Sequence, residues 1–348
     1  MKIPSGSGNG RGCLRRVVLV VAIVVGVVAV LIIALWVNQR LAIRSLRERY
    51  PPPGRLLSVD GHLMHLHCVG SGSPTVVIDA GNGCFSLEWA PIQRELQDTA
   101  RVCVYDRAGY GWSELGPDPR DGDQAVSELH ALLQAAGEEG PFVLVGHSLG
   151  GIHAPIYAAR YPDEIAGLVL VDTEANYAFS PEREQEVASS VGFYRVMRLL
   201  TGSGLIRALG PLMGEGAMPE TARKLPDEIR ETYLELVLDP VHQATAQAEM
   251  EQLSRTMQQA GDAMLGEHPL GDRPLVVLTA GQRMAPGSTP FDQQRVSVDE
   301  AVIAAQETLA RLSPQGEQCV IYESGHLVHL DAPDAVIAAV KDVVDRTR

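Results

Sequence analysis

The chain has 348 residues, of which 45% are hydrophobic, and a formal net charge of −14. This length is enough for one large domain or two small ones with a sizeable core, and the composition is typical of a folded protein. The acidic charge argues against a nucleic-acid partner, because phosphate binding requires a basic face. The five cysteines form no Cys-x-x-Cys pair and no close cluster with histidine, so a zinc site is not expected. No other metal and no cofactor is expected either.

The N-terminal region predicts a membrane anchor. Residues 1–16 are rich in glycine and serine, carry basic residues and are expected to be disordered. Residues 17–37 carry no charge and are dominated by Val, Ile, Leu and Ala, which suits a helix that crosses a bilayer. A cleavable signal peptide is the main alternative, but its apolar part is shorter, and Trp36 followed by Asn38-Gln39-Arg40 is unlike a small-x-small cleavage site. A single transmembrane helix at 17–37 is therefore predicted.

Residues 38–54 are predicted to form a basic juxtamembrane helix that ends in the spacer Pro51-Pro52-Pro53-Gly54. Arginines flank the apolar segment on both sides, at positions 11, 15 and 16 before it and at 40, 44, 47 and 49 after it. The positive-inside rule therefore gives no clear orientation, with a slight preference for a cytoplasmic C-terminal side. The membrane side of the domain that begins at residue 55 stays open.

Beyond the spacer, the chain alternates apolar strands with helices. Asp60-Gly61 separates two alternating segments, 55–59 and 62–69, and predicts a hairpin with a type I′ turn. Continuous apolar runs then predict buried strands at 74–79, 101–106, 142–145, 165–172, 274–280 and 318–323. Such alternation is typical of a mainly parallel sheet with helices on both of its faces.

Residues from about 173 to 271 interrupt this alternation with short helical segments that are separated by proline and glycine. An insertion of this kind after the sixth strand predicts a helical cap. Its methionines fit two roles equally well, the lining of an apolar pocket and the packing of the cap on the sheet.

The most informative motif is Gly146-His147-Ser148-Leu149-Gly150, which follows one predicted strand and precedes a helix. The spacing G-x-S-x-G suits a sharp strand-to-helix turn, because the two glycines remove side chains that would collide there. Ser148 would then stand free at the apex as a nucleophile. A plain glycine turn is the alternative, and the strand before the motif together with the helix after it favours the catalytic interpretation.

Residues that follow other strands complete a candidate site, because the carboxyl ends of parallel strands meet at one edge of a sheet. Asp172 follows the sixth predicted strand and His326 follows the last, which gives the chain order Ser, acid, His. Glu174 and Asp292 are alternative acids.

The glycine-rich loop after the strand 74–79 predicts an oxyanion site. Its backbone N–H at Asn82 would donate to an oxyanion together with the N–H of Leu149, the residue after the serine. Asp106 and Arg107, after the next strand, are expected to pair with each other and shape their loop.

From about residue 55 to its end, the chain resembles the α/β-hydrolase superfamily. The resemblance rests on D-A-G-N-G (79–83), D-R-A-G-Y-G-W-S (106–113), G-H-S-L-G-G (146–151) and S-G-H-L-V-H-L-D (324–331). It implies an α/β-hydrolase domain at 55–348, with an eight-stranded sheet and the cap inserted after the sixth strand. It also implies that Ser148 attacks a carbonyl, that His326 accepts and later returns the proton, and that a carboxylate orients His326.

The family pattern is incomplete at the acid. Members commonly carry it after the seventh strand in a Gly-x-x-Asp pattern, whereas this chain has Gly281-Gln282-Arg283-Met284 there. Some relatives, including pancreatic-type lipases and haloalkane dehalogenases, place it after the sixth strand, where this chain has Asp172. The family's strand order also makes the second and fourth strands neighbours, so Cys68 and Cys103 are expected to form a disulfide if the domain faces an oxidising compartment.

The predicted function is hydrolysis of a carboxylic ester with a small or medium apolar acyl group by a membrane-anchored serine hydrolase. Serine at the elbow disfavours the chemistry of dehalogenases and epoxide hydrolases, which carry aspartate there. Amide, thioester or carbon–carbon hydrolysis and acyl transfer would use the same residues, and a catalytically silent binding protein is the alternative from a different class. The sequence leaves the substrate and the oligomeric state open, because selectivity lies in the cap.

Overall fold

The computed structural model describes residues 10–175, 181–214, 216, 218–284 and 295–348. Helix α1 (Gly10–Arg44) contains the apolar segment 17–37 and is long and apolar enough to cross a membrane, judged by length and composition. The helix already begins at Gly10, so residues 10–16, the second part of the segment 1–16 that was expected to be disordered, are helical. It also runs on to Arg44, because residues 38–44 contain neither glycine nor proline to end it.

The strands follow the predicted order, and eight of those described form one sheet. The strands are β1 (Arg55–Val59), β2 (His62–Val69), β3 (Thr75–Asp79), β4 (Val102–Tyr105), β5 (Phe142–His147), β6 (Ile165–Val171), β7 (Leu275–Ala280), β8 (Gln282–Met284), β9 (Arg295–Ser297) and β10 (Gly316–Ile321). The large sheet has the order β1-β2-β4-β3-β5-β6-β7-β10, while β8 and β9 pair separately. Strand β2 is antiparallel to both of its neighbours, β1 and β4, and the other neighbouring pairs are parallel, so the predicted fold class is confirmed.

Helices cover both faces of this sheet. The helices after α1, including those of the insertion between β6 and β7, are α2 (Leu46–Arg49), α3 (Ala90–Leu96), α4 (Gly122–Ala136), α5 (Leu149–Arg160), α6 (Pro181–Ser203), α7 (Leu205–Met213), α8 (Glu220–Lys224), α9 (Asp227–Val237), α10 (Pro240–Glu251), α11 (Leu253–Ala263), α12 (Glu300–Ala310), α13 (Val328–Asp331) and α14 (Pro333–Arg346). Alternate residues of β3 divide between two cores: Val77 packs with α4, α5 and α11, whereas Val76 and Ile78 pack with α3 and α14. Helices α6 to α11 lie between β6 and β7, where the sequence predicts a cap.

The hairpin and the disulfide follow from strand register. Asp60 and Gly61 both have positive φ, 46° and 91°, which is the geometry of the predicted type I′ turn. Cys68 in β2 lies directly opposite Cys103 in β4, with their Cα atoms 4.0 Å apart, and the two form a disulfide. Both predictions are confirmed.

The segment that joins α1 to the sheet packs on the loop after β4. Leu46 of α2 is buried. Trp112 Nε1 donates a hydrogen bond to Tyr50 O at 2.7 Å, and Arg47 Nη2 donates to Trp112 O at 2.9 Å. The segment 38–54 is therefore attached to the sheet domain over much of its length.

Candidate active site

Ser148 occupies a sharp turn between β5 and α5. Its φ of 51° lies in the left-handed region, which residues other than glycine rarely adopt. A Cβ added at Gly146 would lie 2.5 Å from Gly150 O, and one added at Gly150 would lie 2.2 Å from Asp79 O. The turn therefore requires glycine at both positions, and the predicted strand–turn–helix geometry is present.

His326 lies in the loop after β10 and is held by Asp172. His326 Nδ1 donates to Asp172 Oδ2 at 2.7 Å. The other carboxylate oxygen, Oδ1, accepts from Ala280 N at 2.9 Å and from Gln306 Nε2 at 3.0 Å. Asp172 directly follows β6 and has a φ of 43°. These bonds fix the carboxylate and, through it, the ring of His326.

The two groups shift each other's pKa in the direction that favours charge on both. Burial raises the pKa of Asp172, but the hydrogen bond and charge of His326 outweigh burial and leave this pKa below its ordinary value. Desolvation lowers the pKa of His326, but the hydrogen bond and charge of Asp172 outweigh it and raise this pKa above its ordinary value. With 56% of its side chain exposed, His326 is accessible to a ligand.

His147 connects the serine turn to the loop of His326. His147 Nε2 donates to His326 O at 2.9 Å, and the two ring centroids are 4.8 Å apart. Burial, followed by repulsion from His329 and His326, holds the pKa of His147 well below its ordinary value, so its ring is neutral.

Among the described residues Ser148 Oγ has no hydrogen-bond partner. Catalytic hydrogen bonds are often formed only when substrate is bound.

The sequence offers two alternative acids, Glu174 and Asp292. Glu174 forms an ion pair with Arg183 of the cap helix α6. Asp292 lies outside the described residues. The stretch after β7, where the family commonly has its acid, forms strand β8 and pairs with β9. Of the two candidate acids that the structure describes, it is Asp172 that bonds His326.

The loop after β3 lies against the serine turn. A Cβ added at Gly81 would lie 3.2 Å from Ser148 Cβ. Within the described part of the chain, the backbone N–H groups of Asn82 and Leu149 have no acceptor. Two free donors next to the serine suit an oxyanion that forms there.

A buried ion pair connects this loop to the cap. Arg107 Nη1 donates to Asp79 Oδ1 and Arg107 Nη2 donates to Gly81 O, both at 2.7 Å. Arg107 Nε donates to Glu249 Oε1 of α10 at 2.8 Å. Glu249 Oε2 also accepts from Asn82 Nδ2 at 3.0 Å. Burial raises the pKa of Glu249, but the charge and hydrogen bonds of Arg107 outweigh it and lower this pKa, so the pair is ionised.

The prediction that Arg107 pairs with Asp106 is wrong, because Arg107 pairs with Glu249 and Asp79. Asp106 instead accepts from His65 Nδ1 at 2.9 Å and from the backbone N–H groups of Ser86 and Trp112. Successive residues that leave a strand point to opposite sides, so these two neighbours face different partners. Glu249 is 142 residues from Arg107, and no local pattern indicates the contact.

A second buried pair lies beneath His147. His329 Nε2 is 3.4 Å from Glu88 Oε2, and its ring stacks on Trp89 at 4.5 Å. Burial raises the pKa of Glu88 to about 8 and lowers that of His329 to about 3, so both are neutral at pH 7. The ring of His329 also contacts that of His147, with centroids 4.6 Å apart, so His329 packs beneath the serine turn.

Comparisons with known proteins agree with this geometry. Residues 74–204 match the family model for the alpha/beta hydrolase fold. The uncharacterized protein YqjL of Bacillus subtilis is 25% identical over 288 residues, which cover 82% of this chain and 90% of that protein. A thermophilic esterase from Thermogutta terrifontis is 24% identical, with a TM-score of 0.59, and the match covers 84% of this chain and 97% of the esterase.

A putative lipase from Acinetobacter baumannii AYE is 18% identical, with a TM-score of 0.63, and the match covers 89% of this chain and 96% of the lipase. At these identities the solved structures establish the fold and do not identify a substrate, which must be argued from the site. The matched segment, the sheet order and the serine turn together show that the chain has the α/β-hydrolase fold.

Proposed function

We propose that this protein is a serine hydrolase that cleaves a carboxylic ester through an acyl-enzyme on Ser148. The observation that carries the proposal is the constellation at the carboxyl edge of the sheet: a serine on a strained turn, and a histidine that His147 connects to this turn and whose Nδ1 is bonded to a fixed carboxylate. This is the arrangement that activates a hydroxyl nucleophile.

In the proposed reaction, His326 removes the proton from Ser148 Oγ as the oxygen attacks the ester carbonyl. The carbonyl oxygen becomes an oxyanion and accepts hydrogen bonds from the N–H groups of Asn82 and Leu149. His326 then protonates the departing alcohol, which leaves the acyl group on Ser148. In the second half His326 deprotonates a water that attacks the acyl-enzyme carbonyl, and it then returns the proton to Ser148 Oγ as the bond to the serine breaks and the acid leaves. Throughout, Asp172 holds the ring of His326 and stabilises its charged form.

The neighbouring contacts support these roles. Asp172 accepts three hydrogen bonds in all, so its carboxylate stays in place while His326 gains and loses a proton. The ion pair of Arg107 and Glu249 holds the loop that presents the N–H of Asn82. Preorganised donors of this kind stabilise developing charge without having to reorient during the reaction.

We further propose that residues 17–37 of α1 anchor the enzyme as a single-pass span, with residues 55–348 as the hydrolase domain and the cap at about 173–271. The length and apolar composition of α1 support the anchor. The Cys68–Cys103 disulfide favours a hydrolase domain on the non-cytoplasmic side, because structural disulfides are rare in the cytosol. The disulfide thus supports one orientation of the domain, for which the flanking arginines give no clear answer.

Hydrolysis of p-nitrophenyl esters of graded acyl length by the full chain in detergent tests the proposal. We expect turnover of the short and medium esters, and its loss in Ser148→Ala. Folded protein that hydrolyses none of these esters, or a Ser148→Ala variant with the parent rate, would contradict it. An amide or thioester series in the same assay separates ester hydrolysis from the reactions that share its residues.

A further inference from the structure

The cap carries an apolar surface that faces away from the sheet. It consists of exposed residues of two consecutive helices, and we call it the apolar cap face: Phe193, Val196 and Leu199 of α6, and Leu209, Leu212 and Met213 of α7. The first three recur every third residue and form one stripe on α6. Leu212 is 81% exposed. Clusters of large exposed apolar side chains usually mark a contact with a partner or a membrane.

The apolar cap face begins where helix α1 meets the cap. A Cβ added at Gly204, in the turn between α6 and α7, would lie 2.4 Å from Leu35 O of α1. Four residues on, Gln39 Nε2 donates to Leu238 O at 2.8 Å, and Gln39 Oε1 accepts from Arg207 Nε of α7 at 2.7 Å. The cap is thus fixed to α1 at the C-terminal end of the apolar segment.

That end of α1 has the residues of a membrane–water boundary. The guanidinium of Arg40 lies over the ring of Trp36, 5.3 Å from its centroid. Tryptophan and arginine are enriched where a span leaves the hydrocarbon, since both have an apolar body and a polar tip. If residues 17–37 span a bilayer, the turn between α6 and α7 lies at the level of its surface.

Helix α6 also reaches the candidate site. Tyr194, next to Phe193 in the chain, donates from its hydroxyl to Asn82 Oδ1 at 2.8 Å. One side of α6 therefore contacts the candidate oxyanion loop while its apolar stripe faces outward. Arg198 lies exposed between Val196 and Leu199, in a position to reach lipid phosphates from an apolar stripe.

From this placement we propose that the apolar cap face of α6 and α7 is immersed in the surface of the bilayer that α1 spans. The substrate is accordingly an apolar ester dissolved in the membrane, which enters between the cap and the sheet. The proposal rests on the proposed function, because it takes residues 17–37 as the span and Ser148 as the nucleophile. A second copy of the chain on the same face is the competing occupant.

Fluorescence quenching by brominated phosphatidylcholine tests this contact in full-length protein reconstituted in nanodiscs. The variant Leu212→Trp places a reporter on the apolar cap face. Leu265→Trp is the matched control, because Leu265 is 75% exposed in the chain that enters β7, at the edge of the sheet opposite Ser148. We expect quenching beyond the parent level for Leu212→Trp and none for Leu265→Trp. Two results would overturn the proposal. One is negligible quenching in both tryptophan variants, and the other is a dimer that can be chemically cross-linked at residue 212.

An activity assay of the variants Leu212→Glu and Leu265→Glu tests whether the apolar cap face is needed for hydrolysis of a membrane-dissolved ester. We expect Leu212→Glu to lower hydrolysis of a vesicle-dissolved long-chain ester about tenfold relative to a water-soluble short ester. Leu265→Glu should leave this ratio unchanged, and an unchanged ratio in Leu212→Glu would count against the proposal. Fluorophosphonate labelling of Ser148 in the same samples distinguishes failure of the proposed function from failure of the proposed membrane contact. Absent labelling refutes the serine hydrolase, whereas labelling without quenching by the lipid refutes only the membrane contact.

Discussion

Asp172 determines which nitrogen of His326 carries a proton. Its carboxylate can only accept a hydrogen bond, so His326 Nδ1 must carry the hydrogen and Nε2 is left free to take one from Ser148. An amide at this position can donate to Nδ1 and so favours the wrong tautomer. We expect Asp172→Asn to lower kcat by about 10⁴-fold with the fold intact. Steady-state kinetics with a short ester, alongside circular dichroism, measure this.

The alternative acids provide matched controls for that variant. Glu174→Gln and Asp292→Asn remove a carboxylate while keeping side-chain shape, and both should retain a kcat near the parent value. If either variant loses activity while Asp172→Asn keeps it, the assignment of Asp172 as the third member of the site is wrong.

The ionisation of His326 predicts how activity depends on pH. Only the neutral ring can accept the serine proton, so kcat/KM rises as pH increases through the pKa of His326. Because Asp172 raises this pKa, the midpoint should lie above about 6.5, the ordinary value for histidine. In Asp172→Asn the residual activity should have a lower midpoint. A pH–rate profile of the parent with its midpoint below the ordinary value would contradict this electrostatic account.

At the scale of single elements, helix α10 acts on the candidate oxyanion loop through Glu249. We expect Glu249→Gln to reduce kcat by about 10²-fold, the usual cost of a lost oxyanion donor, with a smaller change in KM. The variant also removes one of the two carboxylates that pair with the buried Arg107, the other being Asp79, so it should lower the free energy of unfolding as well. Kinetics and thermal unfolding should therefore be measured together.

Glu251→Gln is the control on the same helix. Glu251 is partly exposed and pairs with Arg195 at 2.9 Å, away from the oxyanion loop. Its loss should change neither kcat nor the unfolding temperature appreciably, since exposed ion pairs contribute little. A folded Glu249→Gln variant with the parent kcat would show that the ion pair is structural only.

Local elements were predictable where one short segment decides them. The central strands β3, β5, β6 and β7 are apolar runs bounded by turn residues, and G-x-S-x-G sits between a strand and a helix, so the Ser148 turn follows from neighbouring residues. Asp172 and His326 were placed by the rule that parallel strands present their carboxyl ends at one edge. Gln306, which bonds Asp172 from 134 residues away, and the Arg107–Glu249 pair depend on how the cap and α12 pack, and no local spacing encodes that.

At the scale of the whole molecule, the Cys68–Cys103 disulfide joins the antiparallel edge of the sheet to its parallel part. It closes a loop over a sequence separation of 35 residues, so the chain-entropy relation gives about 4 kcal/mol of stability relative to the reduced protein. We expect the double variant Cys68→Ala/Cys103→Ala to lower the free energy of unfolding by up to this amount in denaturant titrations. Cys319→Ala, at a free and exposed cysteine, is the control.

Stability that does not change when the bond is reduced would contradict a structural role for this disulfide.

The redox state of the disulfide in the cell also tests the orientation of the hydrolase domain in the membrane. Thiol labelling after denaturation in intact cells should find Cys68 and Cys103 protected if the hydrolase domain lies outside the cytosol. Free thiols at both positions would instead favour the cytoplasmic side.

The central claim is that Ser148 is a nucleophile activated by His326. The most direct measurement is mass spectrometry of the folded full-length protein after treatment with a fluorophosphonate, which phosphonylates activated serines. We predict a single adduct on Ser148 that forms rapidly in the parent and is lost in Ser148→Ala, with slowed formation in His326→Ala and Asp172→Asn. Folded parent protein without an adduct on Ser148, or with an adduct that forms equally fast in His326→Ala, would contradict the account.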